Sequence, residues 1–287
     1  MNINSSLSHR RPEPEKKVLY LVGTPIGNLC DISARAIKIL QEVSLVACED
    51  TRQTRKLMVK YNISNKVISF NKENSLNKTP QIIKDLKDGK SIALVSDAGM
   101  PTICDPGEEL VREAKLNGIN TICIPGPCAA TTALVSSGMS SSRFIFEGFL
   151  PKKKIERERI LLEISTNEKT TILFESPHRL KKLLGELKEY CGGEREIHVS
   201  RELTKIFEEH IGNSINEVIN FFGNKDILGE ITIVIKGVIK KKNPEINKIY
   251  LKKDLLCLIK AGLTLSAASK YLAKKNNVAK SIIYNLY

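Results

Sequence analysis

The hydrophobic pattern switches repeatedly between short continuous apolar runs and stretches of helical period, and the switches predict the elements. Apolar runs at 18–22, 45–48, 66–70, 92–95 and 120–124 read as strands. Between them, helices are predicted at 31–42, 54–61, 80–87, 108–115 and 129–137, with a polar loop over 71–78. The first helix has Asp31 or Ser33 as its cap and Ile32, Ala36, Ile39 and Leu40 as its buried face. Strict alternation of strand and helix predicts an open, mostly parallel α/β domain.

Small polar residues at 139–142 mark a change of texture. Strands are predicted at 144–150, 170–174, 196–200, 207–211 and, as an alternating strand, 230–235; helices are predicted at 152–164, 180–190 and 214–222. Ser214 and Glu217 form a capping box. These make a second α/β domain with a mixed sheet. Beyond a basic linker, Leu255, Leu256, Ile259, Leu265, Ala268 and Leu272 repeat at helical spacing around the Ala261–Thr264 turn. That order suits a small helix-turn-helix unit or a plain helical hairpin. The expected organisation is a disordered lead-in (1–16), a first α/β domain (17–139), a second (140–238), the linker (239–250) and the helical unit (251–287).

Three strands run straight into loops rich in glycine and proline. They are Gly23-Thr24-Pro25-Ile26-Gly27-Asn28-Leu29, the stretch from Ser96 through Gly99 and Pro101 to Asp105-Pro106-Gly107, and Pro125-Gly126-Pro127-Cys128. Glycine lets backbone approach a ligand and proline fixes where backbone groups point. Three such loops after strands of one sheet predict a shared small-molecule site at the strands' carboxyl ends. No G-x-G-x-x-G follows a strand, so the common dinucleotide fingerprint is missing.

Composition narrows the classes further. A hydrophobic fraction of 41% over 287 residues describes a soluble globular protein, and no run reaches the ~20 apolar residues of a membrane span. The seven cysteines include no C-x-x-C pair, which argues for reduced thiols in a cytoplasm and against a zinc site. The net charge of +13 is uneven, because residues 240–287 hold eleven lysines against two acidic residues. A basic end segment points to a polyanionic partner, nucleic acid first. A chain generally rich in Lys and Asn gives the same signal without a partner.

Read together and in order, the loops carry a resemblance. Gly23-Thr-Pro-Ile-Gly-Asn-Leu29, Glu49-Asp-Thr-Arg52, Ser96-Asp-Ala-Gly-Met-Pro101, Asp105-Pro-Gly107, Pro125-Gly-Pro127, Phe174-Glu-Ser-Pro-His-Arg179 and Arg201-Glu-Leu-Thr-Lys205 resemble the ribosomal RNA small subunit methyltransferase I family, a branch of the tetrapyrrole methylases. The resemblance spans about 18–235 and implies a two-domain α/β fold with open parallel and mixed sheets plus a small C-terminal helical unit. It implies S-adenosylmethionine as cofactor, a cytidine 2′-hydroxyl in the decoding region of small-subunit rRNA as acceptor, and a homodimer.

Site residues follow from those motifs. Leu21, Thr24, Pro25, Asp97, Gly99, Met100, Ile103, Cys128 and Ala129 are the candidates for cofactor binding. The resemblance implies Thr at Met100 and Ser at Cys128, so two side-chain hydroxyl contacts would be lost while backbone contacts survive. Glu175, Glu202, Arg201 and Lys205 are the catalytic candidates, with Glu49, Asp50 and Glu208 as further carboxylates at strand ends. Arg52, Arg179, Arg201 and Lys205 are candidates for RNA phosphates. No metal is expected. Two other readings share the fold: a methylase of corrin or porphyrin precursors, and a non-catalytic rRNA-binding assembly factor.

Overall fold

The computed structural model describes residues 12–223, 225–239, 248–276 and 278–287. Most of the expected lead-in (1–11) and of the linker (240–247) lies outside the described residues. The described part of the lead-in is anchored: Glu13 pairs with Arg35 at 2.7 Å, and the Glu15 N–H donates to the Tyr20 hydroxyl at 2.7 Å.

The chain divides into a unit over 1–238 and a second over 239–287. The larger unit holds two five-stranded sheets. The first comprises β1 (Val18–Val22), β2 (Leu45–Cys48), β3 (Val67–Ser69), β4 (Ile92–Val95) and β5 (Asn120–Ile124), in the spatial order β3-β2-β4-β1-β5. Every pairing is parallel. Sequence-consecutive strands therefore need crossover helices, and these cover both faces. On one face α1 (Ala34–Glu42) and α2 (Thr51–Lys60) pack Ile39, Leu40, Leu57 and Met58 against Val18, Tyr20, Val46 and Val95. On the other, α3 (Ser75–Lys87) and α4 (Glu108–Leu116) pack Ile82, Leu86 and Leu110 against Leu19, Ala47, Ile92 and Leu94. Strands buried on both faces must be apolar throughout, which is why they read as continuous runs.

Three helix starts around the first sheet differ from expectation. Of the two expected caps Ser33 is the one used, its hydroxyl accepting from the Ala36 N–H, so α1 begins at Ala34 rather than 31. Asp50 caps α2, so that helix begins at Thr51 rather than 54. Helix α3 begins at Ser75 inside the expected polar loop, and Pro80 lies within it. Asn71 shapes that entry by accepting from the N–H groups of Glu73 and Asn74.

Helix α5 (Ala129–Ser136) leads to the second sheet, which contains β6 (Phe144–Phe149), β7 (Thr170–Glu175), β8 (Ile197–Arg201), β9 (Glu209–Ile211) and β10 (Ile231–Ile235). Its order is β6-β7-β10-β8-β9; β6 and β7 are parallel and the other pairs antiparallel. Helices α6 (Lys154–Thr166), α7 (Pro177–Cys191) and α8 (Ile215–Phe222) cover one face with a leucine-rich core. Ala130, Ala133 and Leu134 of α5 cover the other, against Ile172 and Val234. Central β10 is thus buried at all five positions, where an alternating strand was expected; its two faces do alternate, but both are covered. The Ser214 hydroxyl accepts from the Glu217 N–H, the N-cap half of the expected capping box.

Among the described residues the smaller unit has three helices, α9 (Lys248–Lys260), α10 (Leu265–Lys275) and α11 (Lys280–Tyr284), around a core of Leu251, Leu255, Ala268, Leu272 and Ile283. Thr264 caps α10 through its hydroxyl. Among the described residues no helix is long and apolar enough to cross a membrane.

Candidate active site

The three glycine-proline loops meet where β1, β4 and β5 end. A Cβ on Gly23 would fall 2.7 Å from Gly126 Cα and from Met100 Sδ, so these backbones touch only because both positions are glycine. Thr24 and Gly99 exchange backbone hydrogen bonds of 2.9 and 3.1 Å. The buried Thr24 hydroxyl donates to the Ser96 carbonyl at 3.2 Å. The loop from 99 to 107 takes positive φ at Thr102 (76°) and Cys104 (66°) as well as at Gly99 and Gly107. Each such non-glycine residue stores on the order of 1 kcal/mol, which a functional loop commonly carries.

These loops form one wall of a cleft of about 400 Å³. Met100, Ile103, Cys104, Asp105, Cys128 and Ala129 stand on that side. The facing wall comes from the second sheet: Phe149, Phe174, Glu175 and Thr232, with Pro177 at the start of α7. Phe174 packs edge-on against Phe146 and Phe149, at centroid distances of 4.9 and 5.7 Å. A second cavity, of about 490 Å³, is lined by Glu49, Asp50, Arg52, Lys72 and Glu73 among others, and shares Asp97 with the cleft.

Carboxylates crowd this junction. Burial pushes Asp105 above the usual carboxylate range, and the charge of Asp97 adds to it, against a Ser96 hydrogen bond and Lys72. Asp97 is raised by burial and then by Asp50, although it accepts from the Asp50 N–H at 3.0 Å. Glu49 is raised by burial, then by Asp105 and Asp97. Three carboxyls that resist ionisation side by side make a site that gains from a cationic ligand. Asp50 differs: its Arg52 pair, 2.7 Å long, holds it down at about 2.

The structure distributes the sequence-predicted residues unevenly. Asp97, Gly99, Met100, Ile103, Cys128 and Ala129 line the cleft together. Leu21, Thr24 and Pro25 do not; Thr24 instead ties the loops together from beneath. Glu175 reaches the cleft wall, but its side chain has 0% exposure. Its Oε1 accepts from the Ser176 N–H, and its Oε2 has no hydrogen-bond partner and lies 3.9 Å from Arg157. Arg179 turns inward, 3.3 Å from Glu175 and donating to the Leu150 carbonyl.

Arg201 pairs with Glu209 at 2.9 Å. Lys205 bridges Glu202 and Glu230 at 2.8 and 2.9 Å. Burial alone would raise Glu202, but hydrogen bonds from Lys205 and the Glu230 N–H, with the charges of Lys205 and Arg201, together keep that carboxylate low. Glu202 is therefore a poor proton acceptor. The turn holding it takes positive φ at Glu202 (54°) and Thr204 (65°), and Thr204 Oγ1 accepts from the Asn28 N–H. Glu208 accepts from the Thr204 N–H and pairs with His210. Arg52 remains the most open of the basic candidates, 85% exposed at the rim of the second cavity.

Sequence reasoning assigned no role to Asp105, Phe149, Phe174 or Glu230 in the cleft. Asp105 had a signal, since it opens the Asp-Pro-Gly turn of the same loop. Phe174 opens one of the quoted motifs, whereas Phe149 had no signal, because a separate strand brings it beside Phe174.

The profile of the tetrapyrrole (corrin/porphyrin) methylases matches residues 18–219. Two solved structures share the fold: a cobalt precorrin-4 methyltransferase (TM-score 0.59, 16% identity, 77% of this chain and 95% of that one) and the uroporphyrin-III-C-methyltransferase of Thermus thermophilus (0.56, 16%, 77% and 94%). Fold and profile together define the class, a methyltransferase of the tetrapyrrole methylase fold.

Closer relatives are named ribosomal RNA small subunit methyltransferase I. The Synechocystis protein is 41% identical over 269 residues, covering 94% of this chain and 96% of the relative. The Bacillus subtilis protein is 42% identical over 277 residues, covering 94% of each. The chain belongs to the ribosomal RNA small subunit methyltransferase I family.

Proposed function

We propose that the protein methylates the ribose 2′-hydroxyl of a cytidine in the decoding region of small-subunit rRNA, with S-adenosylmethionine as donor. The observation that carries the reading is the cleft itself. Crowded carboxyls at Asp97 and Asp105 stand beside apolar side chains of Met100, Ile103 and Phe149. Such a wall suits a ligand with cationic groups on a partly apolar body, and S-adenosylmethionine has both a sulfonium and an ammonium. When bound, that cofactor supplies an electrophilic methyl group.

The chain's own part is to hold, orient and shield. Asp97 and Asp105 favour cationic charge, and the closely packed loops fix the depth at which it sits. Ile103, Phe149 and Phe174 give the cleft an apolar lining, and a ligand seated on it displaces water and strengthens the charge interactions there. Alignment of the acceptor oxygen supplies much of the acceleration. The hydroxyl proton needs an acceptor. Asp97 and Asp105, which line the cleft, take protons more readily than Glu202, because burial raises both.

The rRNA substrate is supported by the relatives' names and by the lysine-rich end of the chain. A homodimer in the cytoplasm is part of the same proposal. The cofactor placement is tested by titration calorimetry with S-adenosylmethionine. Asp97→Ala is expected to weaken binding at least about tenfold, as loss of a charged contact does, with the unfolding transition retained. Unchanged affinity would place the cofactor elsewhere.

A further inference from the structure

The second cavity is as large as the cofactor cleft, and nothing above gives it an occupant. It opens at the carboxyl ends of β2 and β3 and meets the cleft at Asp97. A reaction that joins two ligands needs two such rooms with a shared wall. The cavity's character then selects the second ligand. Glu49, Asp50, Glu73 and Asp97 outnumber Arg52 and Lys72 by four to two. That balance repels a polycarboxylate macrocycle, the acceptor of the corrin and porphyrin methylases. It suits a ligand whose buried part donates hydrogen bonds and whose anionic part stays at the edge.

A nucleotide in an RNA strand has that form. Carboxylates accept from an exocyclic amino group, the contact that marks cytosine among the pyrimidines, and from ribose hydroxyls. Arg52 is 85% exposed and Lys72 is exposed, so both reach outward to a backbone. Arg52 is also pinned to Asp50 by bonds from both Nε and Nη2, which fixes its guanidinium at the rim.

Resting on the rRNA reading above, we propose that the cavity walled by Glu49, Asp50, Arg52, Lys72, Glu73 and Asp97 is the acceptor-nucleotide site. Glu49 and Asp97 take the amino group and hydroxyls of the target nucleoside, and Arg52 and Lys72 take the flanking phosphates. Glu49 is the residue that sets the preference for an amino-bearing base. The site is separate from the cofactor's, with Asp97 common to both.

The experiment uses the full-length protein and small ribosomal subunits from cells lacking it. Methyl transfer from labelled S-adenosylmethionine is followed as a function of subunit concentration, and cofactor affinity is measured by calorimetry. Glu49→Ala is expected to raise KM for the subunit about tenfold, the size of one lost base contact. Lys72→Ala is expected to raise it a few-fold and to lower the salt dependence by about one counterion. Both should keep the wild-type cofactor affinity within about twofold. Wild-type transfer with unchanged KM in both variants overturns this proposal and leaves the rRNA reading standing. Loss of cofactor affinity in both also overturns it, since the cavity would then belong to the cofactor. Absence of transfer by the wild type overturns the rRNA reading itself.

Discussion

Gly23→Ala is the sharpest perturbation of the loop junction. The added Cβ would lie 2.7 Å from Gly126 Cα and 2.9 Å from Gly126 N. Ordinary contact needs about 3.4 Å or more, so the loops after β1 and β5 must part by roughly 0.7 Å. Met100 Sδ, also 2.7 Å away, can swing aside; the Gly126 backbone cannot. Overpacking of this kind costs about 1–3 kcal/mol. That corresponds to a fall in Tm of a few degrees, at roughly 2–4 °C per kcal/mol in a unit of this size. Because Met100 and Cys128 flank the junction and line the cleft, cofactor affinity should fall as well.

Gly185 provides the control. It sits exposed in α7, and a Cβ there would meet nothing within 4 Å. Gly185→Ala should therefore raise stability by about 0.5–1 kcal/mol and leave cofactor binding alone. Thermal unfolding and calorimetry on the two variants read both quantities. Equal Tm shifts, or a Gly23→Ala protein that binds cofactor normally, would refute the claim that close backbone contact shapes the cleft.

Asp105→Asn tests the acidic junction. Burial raises Asp105 in the folded state, so its stabilising contribution is complete below the unfolded value and lost as pH rises through the folded one. At neutral pH the ionised group costs stability; the variant should melt higher without cofactor yet bind it more weakly, and in the wild type affinity should fall as pH drops toward the raised values. Arg157→Ala removes a guanidinium only 6% exposed, bonded to Glu186 at 2.6 Å and close to Glu175. Breaking such a buried pair costs about 3–5 kcal/mol, measurable by denaturant titration. Ser214→Ala deletes the α8 cap and should cost about 1 kcal/mol in the same titration.

The first sheet was legible because parallel strands covered on both faces carry unbroken apolar runs, and none of its five strands was missed. Helix starts were less legible, for local reasons. Pro80 reads as a first-turn proline, yet α3 begins five residues earlier at Ser75. Pro177 is a true first-turn proline, and it starts α7 three residues before the apolar period at Leu180 declares itself. In the site, residues on one loop could be grouped from sequence: Asp97, Gly99, Met100 and Ile103 do share the cleft. Charged residues could not be sorted, because whether a side chain faces a ligand or another side chain depends on its partner. Arg179 and Arg201 donate to carbonyls distant in sequence, those of Leu150 and Leu228, whereas Arg52 has a partner two residues away and stays at a rim.

The central claim is methyl transfer to ribose in small-subunit RNA. Its most direct test is incubation of the protein with labelled S-adenosylmethionine and small subunits from cells lacking it, followed by digestion of the RNA to nucleosides. The account predicts label in one nucleoside, 2′-O-methylcytidine. Label on a base, or tight cofactor binding with no label on RNA, would contradict it.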